Sequence, residues 1–198
     1  MIEIERRYLL KKDALDLLFK ENDLTGNQSD SSINIYLLDN PEVPLQIRTR
    51  GGEWKFALKK KVNNDTYIES QVKIEEKDLL EFLRIAFILE YKKCMVLRKN
   101  RRTFHIGDLK LDIDLYIDIE LYVLEIEYTG KSEVPEVTEK IINGFEKNNK
   151  LSSYRAEDLQ KLKESIFENK LIKRFELRNF NDIEELYKFA NSYKTTTE

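Results

Sequence analysis

In the runs of this chain that alternate with period two, six pairs of like charge stand two positions apart: Glu3 and Glu5, Arg48 and Arg50, Lys59 and Lys61, Lys99 and Arg101, Asp112 and Asp114, Glu125 and Glu127. A β-strand sends residues i and i+2 to the same face, so each pair places one sign of charge on one face. The opposite faces carry Ile47 and Thr49, Leu111, Ile113 and Leu115, or Leu124, Ile126 and Tyr128. An antiparallel sheet with one wet face also alternates in this way, and for any single pair that is the commoner explanation. A wet face, however, mixes signs and includes Thr, Ser and Gln. Like charges lined up along a strand repel modestly, so whole rows of one sign call for another reason.

The remaining pattern places these rows in order. Glu3 to Leu10 reads as a strand, and Lys11 to Lys20 as a short helix. Asn22 to Ser32, polar with Gly26 and three serines, reads as a loop. Strands are expected at Ile33–Leu38, Leu45–Arg50, Trp54–Val62 and Thr66–Ile74, with turns at Gly51-Gly52 and Asn63-Asn64-Asp65. Glu75 to Ala86 has Leu79, Leu80 and Leu83 at helical spacing. Further strands are expected at Cys94–Ile106, Leu109–Tyr116 and Leu121–Tyr128, with a turn at Gly107-Asp108 and an inferred hairpin loop near 117–120. Helices are expected at Glu136–Asn148, Tyr154–Asn169 and Asn181–Tyr193, the last capped by Asn181 or Asp182. About eight strands with few helices between them imply a mainly β (α+β) chain of mostly antiparallel architecture.

Composition narrows the class. The 198 residues are 41% hydrophobic, enough for a sizeable core, and 36% charged with a net charge of −3. No apolar run reaches the roughly 18 residues of a membrane span, and Met-Ile-Glu-Ile-Glu is not a signal peptide. One cysteine excludes an internal disulfide framework and a Cys-based zinc site. The expectation is a cytoplasmic protein without a membrane partner. Cys94 reads as a small buried hydrophobe, Trp54 as a packing residue and His105 as a strand or turn residue.

The alternative to a wet face is a barrel whose interior carries the charges. Rows of Arg and Lys would hold a polyanion. Rows of Glu and Asp would hold a hard divalent cation, Mg2+ or Mn2+, which prefers carboxylate oxygens and bridges phosphates. A buried mix of both signs is tolerable only when it is paired or filled by ligand.

Together these residues resemble the CYTH family, the triphosphate tunnel metalloenzymes. Glu3-Ile4-Glu5-Arg6-Arg7 is similar to the Glu-x-Glu-x-Lys signature, with Arg7 in place of Lys. Asn34-Ile35-Tyr36-Leu37 resembles the Gln-x-Tyr-Leu strand, Ile47-Arg48-Thr49-Arg50 the Val-Arg-x-Arg strand, and Ala57-Leu58-Lys59 the Thr-x-Lys strand. Glu69 stands at the mid-chain Glu. Lys99-Asn100-Arg101 resembles Lys-x-Arg, Leu111–Tyr116 the acidic strand, and Leu124-Glu125-Ile126-Glu127-Tyr128 the Ala-Glu-Ile-Glu-aromatic strand. Ser153-Tyr154 resembles a Ser-Tyr element near the family's C-terminal end. Gln71 and Lys73 replace acidic residues of many members, and Asp112 is shorter than the usual Glu.

The resemblance implies an eight-stranded antiparallel β-barrel, or tunnel, with peripheral helices over residues 1–165 and a helical C-terminal extension over 166–198. It implies Glu3, Glu5 and Glu127 as ligands of Mg2+ or Mn2+, with Glu125 beside them. Arg48, Arg50, Lys59, Lys99 and Arg101 would grip a triphosphate, joined by Arg7. Asp112, Asp114 and Glu69 could hold a second metal or orient water. The activity implied is metal-dependent hydrolysis of a triphosphate group, for which no Ser, Cys or His nucleophile is needed. The substrate could be inorganic tripolyphosphate, a nucleoside triphosphate, thiamine triphosphate or an RNA 5′-triphosphate. The alternatives are a class IV-type adenylyl cyclase making cyclic AMP and pyrophosphate, or a non-catalytic binder of polyphosphate or nucleotide. Either a monomer or a homodimer is compatible.

Overall fold

The structure is a computed structural model that describes residues 2–14, 25–37, 39, 45–50, 52–62, 66–106, 109–128, 136–147 and 170–192. The strands are β1 (Ile2–Leu10), β2 (Thr25–Leu37), β3 (Leu45–Arg50), β4 (Glu53–Lys61), β5 (Thr66–Ile74), β6 (Lys93–Ile106), β7 (Leu109–Tyr116), β8 (Leu121–Tyr128) and β9 (Lys173–Glu176). The helices are α1 (Leu79–Ile88), α2 (Glu136–Lys147) and α3 (Phe180–Ser192).

The first eight strands form one antiparallel ring. Their order is β2-β3-β4-β5-β1-β8-β7-β6, and β6 pairs back onto β2. Closure leaves none of the eight with a wholly unpaired edge, which is how barrels avoid open ladders. β6 is the longest strand and holds β2 along one side. Its other side is shared: Lys99–Ile106 pair with β7, and Lys93–Val96 pair with β9.

Apolar residues face outward, beneath helices, and charged residues face inward. On the β2–β4 side, Ile33, Ile35, Leu37, Leu45, Ile47 and Trp54 pack against Leu79, Leu83 and Ala86 of α1 and against Ile183, Leu186 and Ala190 of α3. These helical residues recur at three- or four-residue spacing on the buried stripe of each helix. On the β1–β8–β7–β6 side, Tyr8, Leu10, Leu124, Ile126, Leu111 and Phe104 pack against Ile141 and Ile142 of α2. Two outer cores therefore hold the barrel, and its lumen is left for other chemistry. Trp54, 1% exposed, and Cys94, also 1%, sit in the first outer core. Burial raises the Cys94 thiol pKa to about 12, so it packs as a hydrophobe.

Several expectations are corrected. Thr25–Ser32, expected within a loop, is the first half of β2. Its polar composition suits a strand whose backbone is satisfied by the long β6 ladder and whose inner face meets a polar lumen. The register shifts between Thr25 and Gln28, where the ladder is irregular. The segment expected as a helix at 75–86 begins with a 3-10 turn over Glu76–Asp78, and α1 then runs to Ile88. Helix α3 is capped by Asn179, whose Oδ1 accepts from the amides of Asn181 (2.9 Å) and Asp182 (3.2 Å). The Asp182 carboxylate instead reaches back to the Arg178 amide, 2.8 Å away. The segment 166–198, expected as a helical C-terminal extension, contributes β9 as well as α3. The hairpin loop inferred near 117–120 is found between β7 and β8, as a 3-10 turn, Ile117–Ile119, closed by Glu120 at φ 48°. The turns at 63–65 and 107–108 and the helix at Tyr154–Asn169 lie outside the described residues, as does most of the helix at Lys11–Lys20. There, Lys11 to Ala14 form a turn closed by the Ala14 amide on the Lys11 carbonyl, 3.0 Å.

Candidate functional site

Cross-strand register fixes which residues line the lumen. Arg7 faces Glu125 and Glu5 faces Glu127 across β1 and β8. Lys59 faces Glu69 across β4 and β5. Arg101 faces Asp114 across β6 and β7. The inner row of β2 includes Asp30, Ser32, Asn34 and Tyr36, set against Arg101, Lys99, Leu97 and Met95 of β6.

Ion pairs join these rows into one circuit. Arg48 binds Glu69, and Lys59 Nζ lies 4.0 Å from the same carboxylate. Lys59 Nζ is 2.9 Å from both oxygens of Glu5. Arg7 bridges Glu5 (2.7 Å) and Glu125 (3.0 Å). Arg101 takes Glu125 at 2.6 Å and Asp114 at 2.5 Å, and also binds Asp112. Lys99 joins Asp114 at 2.5 Å. Lys110 links Asp112 (2.9 Å) to Glu127 (2.7 Å). Arg50 joins the network at Asp112, 3.9 Å away. Twelve of the thirteen residues singled out from the sequence thus stand in one connected network; the exception is Glu3. Its backbone pairs with Tyr67 on β5, and its side chain lies outside the described residues.

The electrostatics follow from burial opposed by neighbours. Burial alone would raise the Glu125 pKa, but Arg7 and Arg101 hold it well below the usual carboxylate range. Asp112 is lowered in the same way, with Arg101 and Lys110 outweighing burial. Burial opposes the charge on Arg7 and Arg101, yet the carboxylates around them keep both firmly protonated. Lys99 is the contrary case: burial and the neighbouring Arg101 lower its pKa despite Asp114. Burial also raises the phenols of Tyr36, Tyr67 and Tyr116, which stay neutral.

Sequence reasoning missed four kinds of residue. Lys110 precedes Asp112 by two, so strand alternation alone could have found it. Tyr67 sits under Lys59, whose Nζ is 4.7 Å from the ring centroid. Ser32 and Asn34 were hidden in a segment read partly as loop and partly as framework. The fourth is an apolar floor. Met95, Leu97 and Ile172 are buried together with Tyr36, Tyr116, Ile119 and Leu121 packed against them. Inner rows therefore change from charged to apolar along β6 and β8, and the chain just before β9 supplies Ile172 to that end. Gln71, on the inner row of β5, accepts from Arg48 at 3.3 Å, and Lys73 pairs with Glu53 at 2.5 Å. Glu69 is the one carboxylate of β5 in the circuit.

The fit of a divalent cation rests on the carboxylates. Glu5 and Glu127 are direct cross-strand partners, with Glu3 two positions before Glu5 on the same strand. That all-oxygen, anionic donor set suits Mg2+ or Mn2+. In this arrangement Lys59 and Lys110 occupy those carboxylates, and among the described residues no three potential ligands converge on one point. No helix among the described residues is long and apolar enough to cross a membrane.

Comparison with known proteins agrees with this architecture. A conserved hypothetical protein from Pyrococcus furiosus superposes with a TM-score of 0.58 at 19% identity, over 73% of this chain and 88% of its own. The PH1012 protein from Pyrococcus horikoshii superposes at 0.60 and 14% identity, over 77% and 93%. A Hippeastrum protein, described as a candidate adenylyl cyclase with a dominant triphosphatase activity, superposes at 0.51 and 19% identity, over 77% and 91%. These likenesses concern the fold. No curated protein matches the sequence. The family model for the CYTH domain matches residues 1–161, most of the chain, and on that match the chain belongs to the CYTH family.

Proposed function

We propose that the lumen binds a triphosphate group and that the protein hydrolyses it with the help of a divalent cation. The observation that carries this reading is the ion-pair circuit itself. It brings Arg7, Arg48, Arg50, Lys59, Lys99 and Arg101, from β1, β3, β4 and β6, into one space where each pairs with a carboxylate of the protein itself. Buried ion pairs contribute little net stability, because desolvation offsets their attraction. A polyanion can therefore replace the carboxylates at small cost, and it offers more acceptor oxygens per cation.

In this reading Arg48, Arg50, Lys59, Lys99, Arg101 and Arg7 bind the phosphate oxygens. Binding draws Lys59 away from Glu5, and Lys110 can follow from Glu127. Glu3, Glu5 and Glu127 are then the residues that would hold Mg2+ or Mn2+, with Glu125 beside them. A divalent cation bound there supplies charge neutralisation across phosphate oxygens. The cationic wall stabilises charge that develops on the transferred phosphoryl group. Asp112, Asp114 and Glu69 were read from the sequence as second-metal or water-orienting groups. In this arrangement they hold Arg101, Lys99 and Arg48, and we assign them first the positioning of those cations. Residues 1–165 form the triphosphate unit in this scheme, and the 166–198 extension floors it through Ile172.

The test is incubation of tripolyphosphate, ATP and thiamine triphosphate with the protein and Mg2+ or Mn2+, resolved by product. Orthophosphate release supports hydrolysis. Cyclic AMP with pyrophosphate from ATP would instead make the protein a cyclase. Binding without turnover of any triphosphate would leave a binder.

A further inference from the structure

Around the lumen, β2 differs from the charged walls. Its inner row presents Ser32 and Asn34, and both are buried, at 9% and 3% exposure. Among the described residues Asn34 Nδ2 and Ser32 Oγ have no hydrogen-bond partner, and the same is true of Arg48 Nε. These groups are neighbours by register. Asn34 stands directly opposite Arg48 on β3, and Ser32 directly opposite Lys99 on β6. Directly opposed residues in an antiparallel pair lie about 5 Å apart at Cβ. Leaving a buried donor unpartnered destabilises the fold, and such groups in a folded protein call for an explanation.

We infer that Asn34 and Ser32 donate hydrogen bonds to oxygens of the bound triphosphate, at the phosphate deepest in the lumen. This inference rests on the function proposed above and names two substrate contacts it did not include. What fills the space must be rich in acceptors. Arg48 Nε, Asn34 Nδ2 and the Lys99 ammonium all donate, and the Ser32 hydroxyl rotates to donate. A phosphate presents only acceptors at its non-bridging oxygens. A sugar or a base would bring donors of its own to this wall. Depth follows from the floor: Asn34 is level with Leu97, and the next inner pair is Tyr36 with Met95. At the level of Ser32 and Asn34 the wall adds donors without a carboxylate that would repel the anion; the one carboxylate of this row, Asp30, lies farther from the floor, opposite Arg101.

Three variants test this: Asn34→Leu, Asn34→Asp and Ser32→Ala, each titrated with tripolyphosphate by calorimetry and by thermal melting. Asn34→Leu removes the donor at similar volume. It is expected to weaken binding about tenfold, the loss of one hydrogen bond to a charged group. Its ligand-free melting temperature should be unchanged or raised, because a buried unsatisfied group is gone. Ser32→Ala should weaken binding about fivefold or more, on the same grounds. Asn34→Asp should weaken it most, by repelling the anion. If Asn34 served instead as an acceptor for Arg48, the aspartate would keep that contact and Asn34→Leu would lower the ligand-free melting temperature; that result overturns the inference. Wild-type affinity in all three variants overturns it as well, and leaves the proposed function standing. A wild-type protein that binds no tripolyphosphate overturns both.

Discussion

Arg50 on β3 lies 3.9 Å from Asp112 on β7, although β2 and β6 separate the two strands in the ring. The contact therefore crosses the lumen and ties opposite walls together by charge. Any polyanion that enters the space competes with Asp112 for this guanidinium. Replacing Arg50 with Ala should weaken tripolyphosphate binding by about tenfold or more, the value of a charge-assisted contact, without unfolding the protein. Calorimetric titration checks it, and unchanged affinity would place Arg50 outside the site.

Glu5 and Glu127 face each other across β1 and β8 and are held by lysines. Glu5→Gln and Glu127→Gln keep shape and an acceptor while removing the charge a cation needs. Turnover should fall by about a hundredfold or more, with the fold retained, although Glu5→Gln should lower the melting temperature because buried Lys59 and Arg7 lose a counter-charge. Manganese binding, followed by paramagnetic resonance, should weaken in parallel. Full activity in either variant would contradict its assignment as a metal ligand.

Asp114 is fully buried and takes both Lys99 and Arg101. Asp114→Ala leaves two buried cations short of a counter-charge, which costs about 3–5 kcal/mol when one partner of a buried pair is removed. Urea unfolding should show that loss. Tripolyphosphate should restore more stability to this variant than to the wild type, because the anion supplies the missing charge.

Acid should unfold the protein through the same network. Glu125 and Asp112 both titrate below their ordinary values in the folded chain, so the folded state binds fewer protons than the unfolded state over that range. Their contribution is complete above the ordinary carboxylate range, near pH 5. It is lost as pH falls through the lowered folded values. Glu125→Gln should flatten the acid limb of a stability–pH curve. An identical limb would mean that other carboxylates set it.

The sequence made the inner faces legible where charge repeats with period two. Arg48 and Arg50, Lys99 and Arg101, and Glu125 and Glu127 could be assigned to one face without a structure, because a single slip in register would have buried Ile47 or Ile126 in the lumen. Legibility failed where the inner face is neutral. Thr25 to Ser32 looks like loop because it has no apolar residue to mark a period, and only the β6 ladder makes it a strand. Lys110 interrupts an acidic row and was passed over for that reason. β9 was invisible because its four residues carry no periodic signal; its place is set by pairing with Lys93–Val96 and by Phe175 packing edge-on against Phe189 of α3, 5.4 Å between centroids. The floor was missed because Ile172 reaches Leu97 and Met95 from a distant part of the chain.

The central claim is that the charged lumen is the triphosphate site. A crystal structure of the protein with tripolyphosphate tests it most directly. The predicted result is density for the anion among Arg48, Arg50, Lys59, Lys99 and Arg101, with the Arg50–Asp112 and Lys59–Glu5 contacts opened. Tripolyphosphate bound on the outer surface, with the ion-pair circuit intact, would contradict the account.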